Sequence, residues 1–113
     1  DTDTWQYNQL LVRMRNNQVM IKKLVEMFIE DNVDVKLKFE QAIVQNDLLA
    51  LKSIAHKTKG SARNLSFVSL GSTLNALESA VNEHKIDNLS ELYQQFIREY
   101  DNLMPLLTKY ITN

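Results

Sequence analysis

With 113 residues, 44% hydrophobic and 24% charged, the chain has room for one domain around one core. Two glycines and one proline are too few for the turns of a sandwich or barrel, and the absence of cysteine excludes disulfides, thiolate metal sites and thiol nucleophiles, so an all-α protein of a reducing compartment, the cytoplasm, is expected. The net charge of −1 hides an asymmetry: no acidic residue lies between Asp47 and Glu78, whereas Lys52, Lys57, Lys59 and Arg63 do, and the partner of that basic face should itself be acidic.

Taken in order, Asp3 and Gln6 have the spacing of a capping box, and Trp5, Leu10, Leu11 and Met14 predict a short accessory helix ending near Asn16 and Asn17, with Trp5 packed on the rest. From Val19, the positions Ile21, Leu24, Phe28, Val35, Phe39 and Ala42 keep helical spacing to Asn46. Only the polar run Glu30-Asp31-Asn32 interrupts them, so one long helix, free to bend there, is predicted. Asp47 is placed to cap a helix with the stripe Leu48, Leu51, Ala55, Thr58, Ala62 and Leu65, which ends in a turn over Asn64–Ser66. Phe67, Leu70, Leu74, Leu77 and Val81 form the next stripe. Asn88 and Glu91 suggest a second capping box before Leu92, Phe96, Leu103, Leu107 and Tyr110, a helix that Pro105 should kink or interrupt. Short loops and no internal repeat predict a single domain over residues 1–113: an antiparallel up-down-up-down four-helix bundle with an additional short N-terminal helix.

On a helical projection of residues 47–65 with the apolar stripe at zero, His56 falls about 140° away, on the solvent side. Lys52, Lys59 and Arg63 fall at roughly 80–120°, one turn before, one turn after and two turns after it, and Gly60 at about 180°. A glycine inside a helix costs roughly 1 kcal/mol relative to alanine, which makes sense if something must approach the backbone beside the histidine. Leu49, at about 160°, adds an apolar residue to the same face that could help a partner dock, whereas Lys57, at about 240°, points away.

The run Ala55-His56-Lys57-Thr58-Lys59-Gly60-Ser61-Ala62, followed by Leu65 and by Leu77-Glu78, resembles the histidine-containing phosphotransfer (HPt) domain over essentially the whole chain. The resemblance implies a four-helix bundle in which His56 is phosphorylated, with Lys59 and Gly60 at the motif positions that follow it. It further implies that Glu78, on the following helix, hydrogen-bonds the other ring nitrogen. Geometry agrees: His56 and Glu78 lie about ten and eleven residues either side of the turn, each roughly 16 Å along antiparallel helices. One departure is Ser66, where the family commonly has a turn glycine; a serine there could cap the next helix.

These residues suggest a phosphorelay intermediate. With Glu78 accepting the Nδ1 proton, Nε2 keeps its lone pair for phosphorus, and Lys59, with Lys52 and Arg63 behind it, offsets charge on the phosphoryl oxygens. The chain has no nucleotide-binding loop and no acidic metal cluster, so it should have no kinase activity or cofactor of its own, and the Mg2+ and the aspartate must belong to the partner. The resemblance identifies that partner as a response-regulator receiver domain. His84, roughly 9 Å further along its helix, makes a poor zinc site with His56 and Glu78 and is read as a surface residue. The small basic face without interleaved aromatics argues against nucleic acid.

No apolar run approaches the roughly 20 residues of a membrane span and no signal peptide opens the chain, so no direct membrane contact is expected and the isolated domain is expected to be a monomer. The start at Asp1 favours excision from a longer protein: the C-terminal module of a hybrid sensor histidine kinase, itself able to be anchored in the inner membrane. Two alternatives stay open, an adaptor bundle that docks receivers without carrying phosphoryl groups and the phosphoacceptor domain of a chemotaxis-type kinase.

Overall fold

The computed structural model describes residues 3–113; Asp1 lies outside them. Among the described residues the helices are α1 (Tyr7–Arg13), α2 (Gln18–Asp31), α3 (Val35–Val44), α4 (Leu48–Asn64), α5 (Val68–Asn82) and α6 (Leu89–Thr112), with a 3-10 turn over Ile86–Asn88 leading into α6. Contacts run in a ring: α3 packs on α4, α4 on α5, α5 on α6, and α6 closes against α2. With α2 and α3 sharing one arm, this is the expected four-helix bundle with α1 as the N-terminal addition. Its extents are 42 × 22 × 21 Å, and among the described residues no helix is long and apolar enough to cross a membrane.

Each arm buries most of the stripe that its spacing predicts, although Leu24, Leu48, Leu92 and Tyr110 are only partly buried and Val25 joins the interior instead. Ile21, Val25, Phe28, Phe39, Phe67, Leu70, Leu74, Phe96, Leu103 and Leu107 form the interior, with Phe28 against Phe67 and Phe39 against Phe96 at ring separations of 5.0 Å. Beyond Leu51, the core face of α4 is made of smaller groups, Ala55, Thr58 and Ala62. Small side chains let helix axes approach, and this is why side chains at the edge of α4 can touch those of α5. Among the described residues, no fully buried side-chain nitrogen or oxygen lacks a hydrogen-bond partner.

Four expectations need correction. The long helix from Val19 is two helices, because Asn32 and Asp34 leave helical geometry (φ −111°, ψ 14° for each). Asn32 is buried, its amide donates to Phe28 O at 2.9 Å, and its carbonyl accepts the Tyr100 hydroxyl at 3.0 Å, so the break is satisfied from within the fold. Neither predicted capping box forms. Gln6 Nε2 bonds Asp3 Oδ1 at 3.3 Å, but the helix begins at Tyr7, and Asn88 ends the 3-10 turn with no side-chain cap. Of the two outcomes expected at Pro105, a kink or an interruption, the second does not occur, since α6 runs through it to Thr112. Ser66 does not cap α5, whose N-cap is Phe67. Asp47 does cap α4 as expected, accepting from Ala50 N at 3.0 Å.

Both glycines lie inside helices, so left-handed positions after helices fall to other residues. Ser66, at φ 62°, closes α4 through two bonds, Ser66 N to Arg63 O at 3.2 Å and Phe67 N to Ala62 O at 2.9 Å, the Schellman pattern. Asn46 (φ 52°) after α3 and His84 (φ 56°) after α5 do the same, so the second histidine is a helix terminator. A side chain in this conformation costs about 1–2 kcal/mol. At Ser66 the N-terminal segment supplies compensation: Arg13 Nη2 donates to Asn64 O at 3.0 Å and to Ser66 Oγ at 2.7 Å, Trp5 Nε1 to Leu65 O at 2.9 Å, and Gln6 N to Ser66 O at 3.0 Å.

Candidate functional site

The turn at Ser66 fixes the register of α4 against α5, and the site sits where the two helices run side by side. On α4, His56 follows buried Ala55 and precedes buried Thr58 by two residues, so its side chain points outward and is 70% exposed. On α5, Glu78 follows buried Leu77 and lies at the seam between the helices, its side chain 12% exposed.

Glu78 spans the seam with both oxygens. Its Oε2 lies 2.9 Å from His56 Nδ1, and its Oε1 lies 2.5 Å from Lys59 Nζ, whose side chain is 15% exposed. Lys59 also reaches Asn75 Oδ1 at 3.4 Å, one turn before Glu78 on α5. The Lys59 hydrogen bond lowers the Glu78 pKa; burial opposes it, and His56 adds a smaller effect in the same direction as Lys59. Glu78 is therefore an anion at neutral pH and can only accept hydrogen bonds. Because it accepts from Nδ1, the neutral imidazole carries its proton there and leaves an unprotonated Nε2 on the solvent side.

The other expected residues surround this contact. Leu49, 80% exposed, lines a shallow recess with Lys52, Ser53, His56 and Glu78. Gly60 is exposed, its φ is not positive, and a Cβ built on it would meet nothing within 4 Å, so neither packing nor backbone conformation of the free chain requires glycine. Arg63 lies toward the turn, its stem over buried Gly71 of α5, where a Cβ would come within 3.3 Å of Arg63 Cγ. Lys57 lines a separate groove on the α3 side with Asp34 and Lys38.

The structure thus joins His56, Lys59 and Glu78 in direct contact, sets Lys52 and Leu49 beside them, and keeps Arg63 at the turn end of the same face. Sequence reasoning aimed the Lys59 ammonium at a phosphoryl group, whereas in the free chain it pairs with Glu78. Ser53, Asn75 and Gly71 were not singled out. Asn75 and Gly71 precede Glu78 by three and seven residues, a spacing that puts all three on one face of α5 and could have shown both.

A model of the Hpt domain matches residues 23–105. The bundle also resembles the crystal structure of histidine-containing phosphotransfer protein B (HptB) from Pseudomonas aeruginosa PAO1, with a TM-score of 0.86 over 96% of this chain and 95% of that one. At 20% sequence identity this likeness shows the fold. No curated protein matches the chain. Because the domain match takes in most of the bundle and every residue from Leu49 to Glu78, the chain belongs to the Hpt domain family, the histidine phosphotransfer modules of two-component phosphorelays.

Proposed function

We propose that His56 is the phosphoryl-carrying residue, taking the group from the aspartate of one receiver domain and passing it to the aspartate of a response regulator. One observation carries this reading: the imidazole side chain is 70% exposed while its Nδ1 is held 2.9 Å from an ionised carboxylate. A surface histidine without a role has no need of a partner from the next helix. In the reaction the Nε2 lone pair meets phosphorus as the bond to the donor carboxylate breaks, and Lys59, Lys52 and Arg63 supply positive charge on the side from which the phosphoryl oxygens come. The aspartates, and the Mg2+ that accompanies them, are the partner's.

Gly60 supports the same reading. Since nothing in the free chain fills the space above it, the glycine serves an approaching surface, with Leu49 as an apolar contact at the other end of the face. Donor and acceptor being receiver domains, the domain on this reading works in the cytoplasm.

Incubating the domain with radiolabelled phosphorylated receiver domains tests the assignment. Wild type should acquire an acid-labile, base-stable label and His56→Gln none, with the circular dichroism of the two superimposable because an exposed side chain contributes within about 0.5 kcal/mol to stability. Label retained by His56→Gln would move the site elsewhere. Receiver binding with no label on either protein would instead identify an adaptor.

A further inference from the structure

An amide in place of Glu78 could still accept the Nδ1 proton of His56, through a weaker hydrogen bond; what the carboxylate adds is a negative charge. That charge lies 2.9 Å from Nδ1 in a seam where the Glu78 side chain is only 12% exposed, so water screens it poorly. Its chemical meaning appears once Nε2 bears a phosphoryl group. If the ring keeps its Nδ1 proton it is a phosphoimidazolium, and cleavage of the P–N bond releases a neutral imidazole. If it loses that proton, the same cleavage must expel an imidazolate, a far poorer leaving group.

We propose that Glu78 holds the phosphorylated His56 ring in its protonated form, so that the phosphoryl group stays ready for onward transfer above neutral pH instead of being stored. This rests on His56 being the phosphoryl acceptor. In the forward step the Nε2 lone pair forms the P–N bond while the P–O bond to the donor aspartate breaks and its electron pair leaves on the carboxylate. The Nδ1 proton stays in place, and the positive charge gained by the ring faces Glu78. In the onward step the acceptor carboxylate oxygen bonds phosphorus and the P–N pair returns to Nε2. No proton enters or leaves the ring in the whole cycle.

The titratable groups around the ring are Glu78 from α5 and Lys52 and Lys59 from α4. Asp34 and Lys38, from the α3 side, line a different groove with Lys57. The two lysines favour the neutral ring, and Glu78, in hydrogen-bond contact, opposes them. Lys59 has a second effect: by occupying Oε1 it keeps Glu78 ionised while Oε2 remains for the ring.

Glu78→Gln separates charge from orientation, since the amide keeps the shape and an acceptor oxygen. Phosphoramidate phosphorylates an accessible imidazole with release of ammonia, so the domain can be loaded without a partner and its loss of phosphoryl to water followed by intact mass across pH. At about pH 8 the Glu78→Gln protein should lose the group roughly tenfold more slowly than wild type, the low end of the effect of removing an opposite charge at this range. At a pH low enough to protonate both rings, the rates should converge. Nitrogen-15 spectra at about pH 8 should show a protonated phosphoimidazole in wild type and a neutral one in the variant. Equal rates with equal ring protonation, or a faster variant, overturn the proposal. So does a wild-type His56 that phosphoramidate leaves unmodified, because the open Nε2 is its premise; label transfer from receivers tests the parent reading separately.

Discussion

Two levels of the α4–α5 pair are built on opposite terms. At the turn, the strained Ser66 is surrounded: Arg13, Trp5 and Gln6 donate to the carbonyls of Asn64, Leu65 and Ser66, and the Trp5 ring packs edge-on against Tyr7, Phe67 and Tyr110. Higher up the same helices, a single carboxylate is divided between an ammonium and an imidazole, and the ring is left mostly in water. The first level has more bonds than position alone requires and the second has groups that can change partners. Stability is concentrated where no chemistry occurs, and the fixed register it gives lets the reactive level stay open.

Removing the clamp should therefore unfold without disabling. Trp5→Ala deletes the indole from three ring contacts and leaves Leu65 O without its donor, and a loss of about 2–3 kcal/mol is expected in urea unfolding, below the full cost of a wholly buried tryptophan because Trp5 is half-buried. The single-turnover transfer rate of the molecules still folded should be unchanged. A rate that falls along with stability would show that the two levels are not independent.

The converse change acts at the open level. Gly60→Glu replaces a poor helix former by a good one and meets no neighbour in the free chain, so stability should rise by up to about 1 kcal/mol. Phosphoryl transfer from a receiver should nonetheless slow, by about tenfold, as a bulky anion fills the space left for an acidic partner. Unchanged transfer in stopped-flow or label assays would remove the clearance role from Gly60.

The contrast also explains what could be read from the sequence. The pairing of His56 with Glu78 is implied by the resemblance to the Hpt domain, and the equal distances to one turn agree with it, whereas the α4 stripe and the exposure of His56 follow from helical period, a local quantity. The break at Asn32–Asp34 does not, because its carbonyl is satisfied by Tyr100, 68 positions away. Ser66 is similar: its left-handed conformation depends on Arg13, 53 positions away, so a short accessory helix gave no sign that it holds the turn. Periodicity places Lys59 on the histidine face, but a projection of one helix does not show that in the free chain Glu78 on the next already accepts from it.

The nitrogen-15 shifts of the unphosphorylated His56 ring test most directly whether a carboxylate on α5 sets the chemistry on α4. At a pH where the ring is neutral, wild type should carry its proton on Nδ1, the tautomer that free histidine disfavours, with Nε2 unprotonated. Glu78→Ala should return the ring toward the mixture of free histidine, and transfer from a receiver should slow by about tenfold or more as the reactive tautomer and rotamer become less populated. A wild-type ring protonated on Nε2, or a tautomer ratio that alanine leaves unchanged, would contradict the assignment.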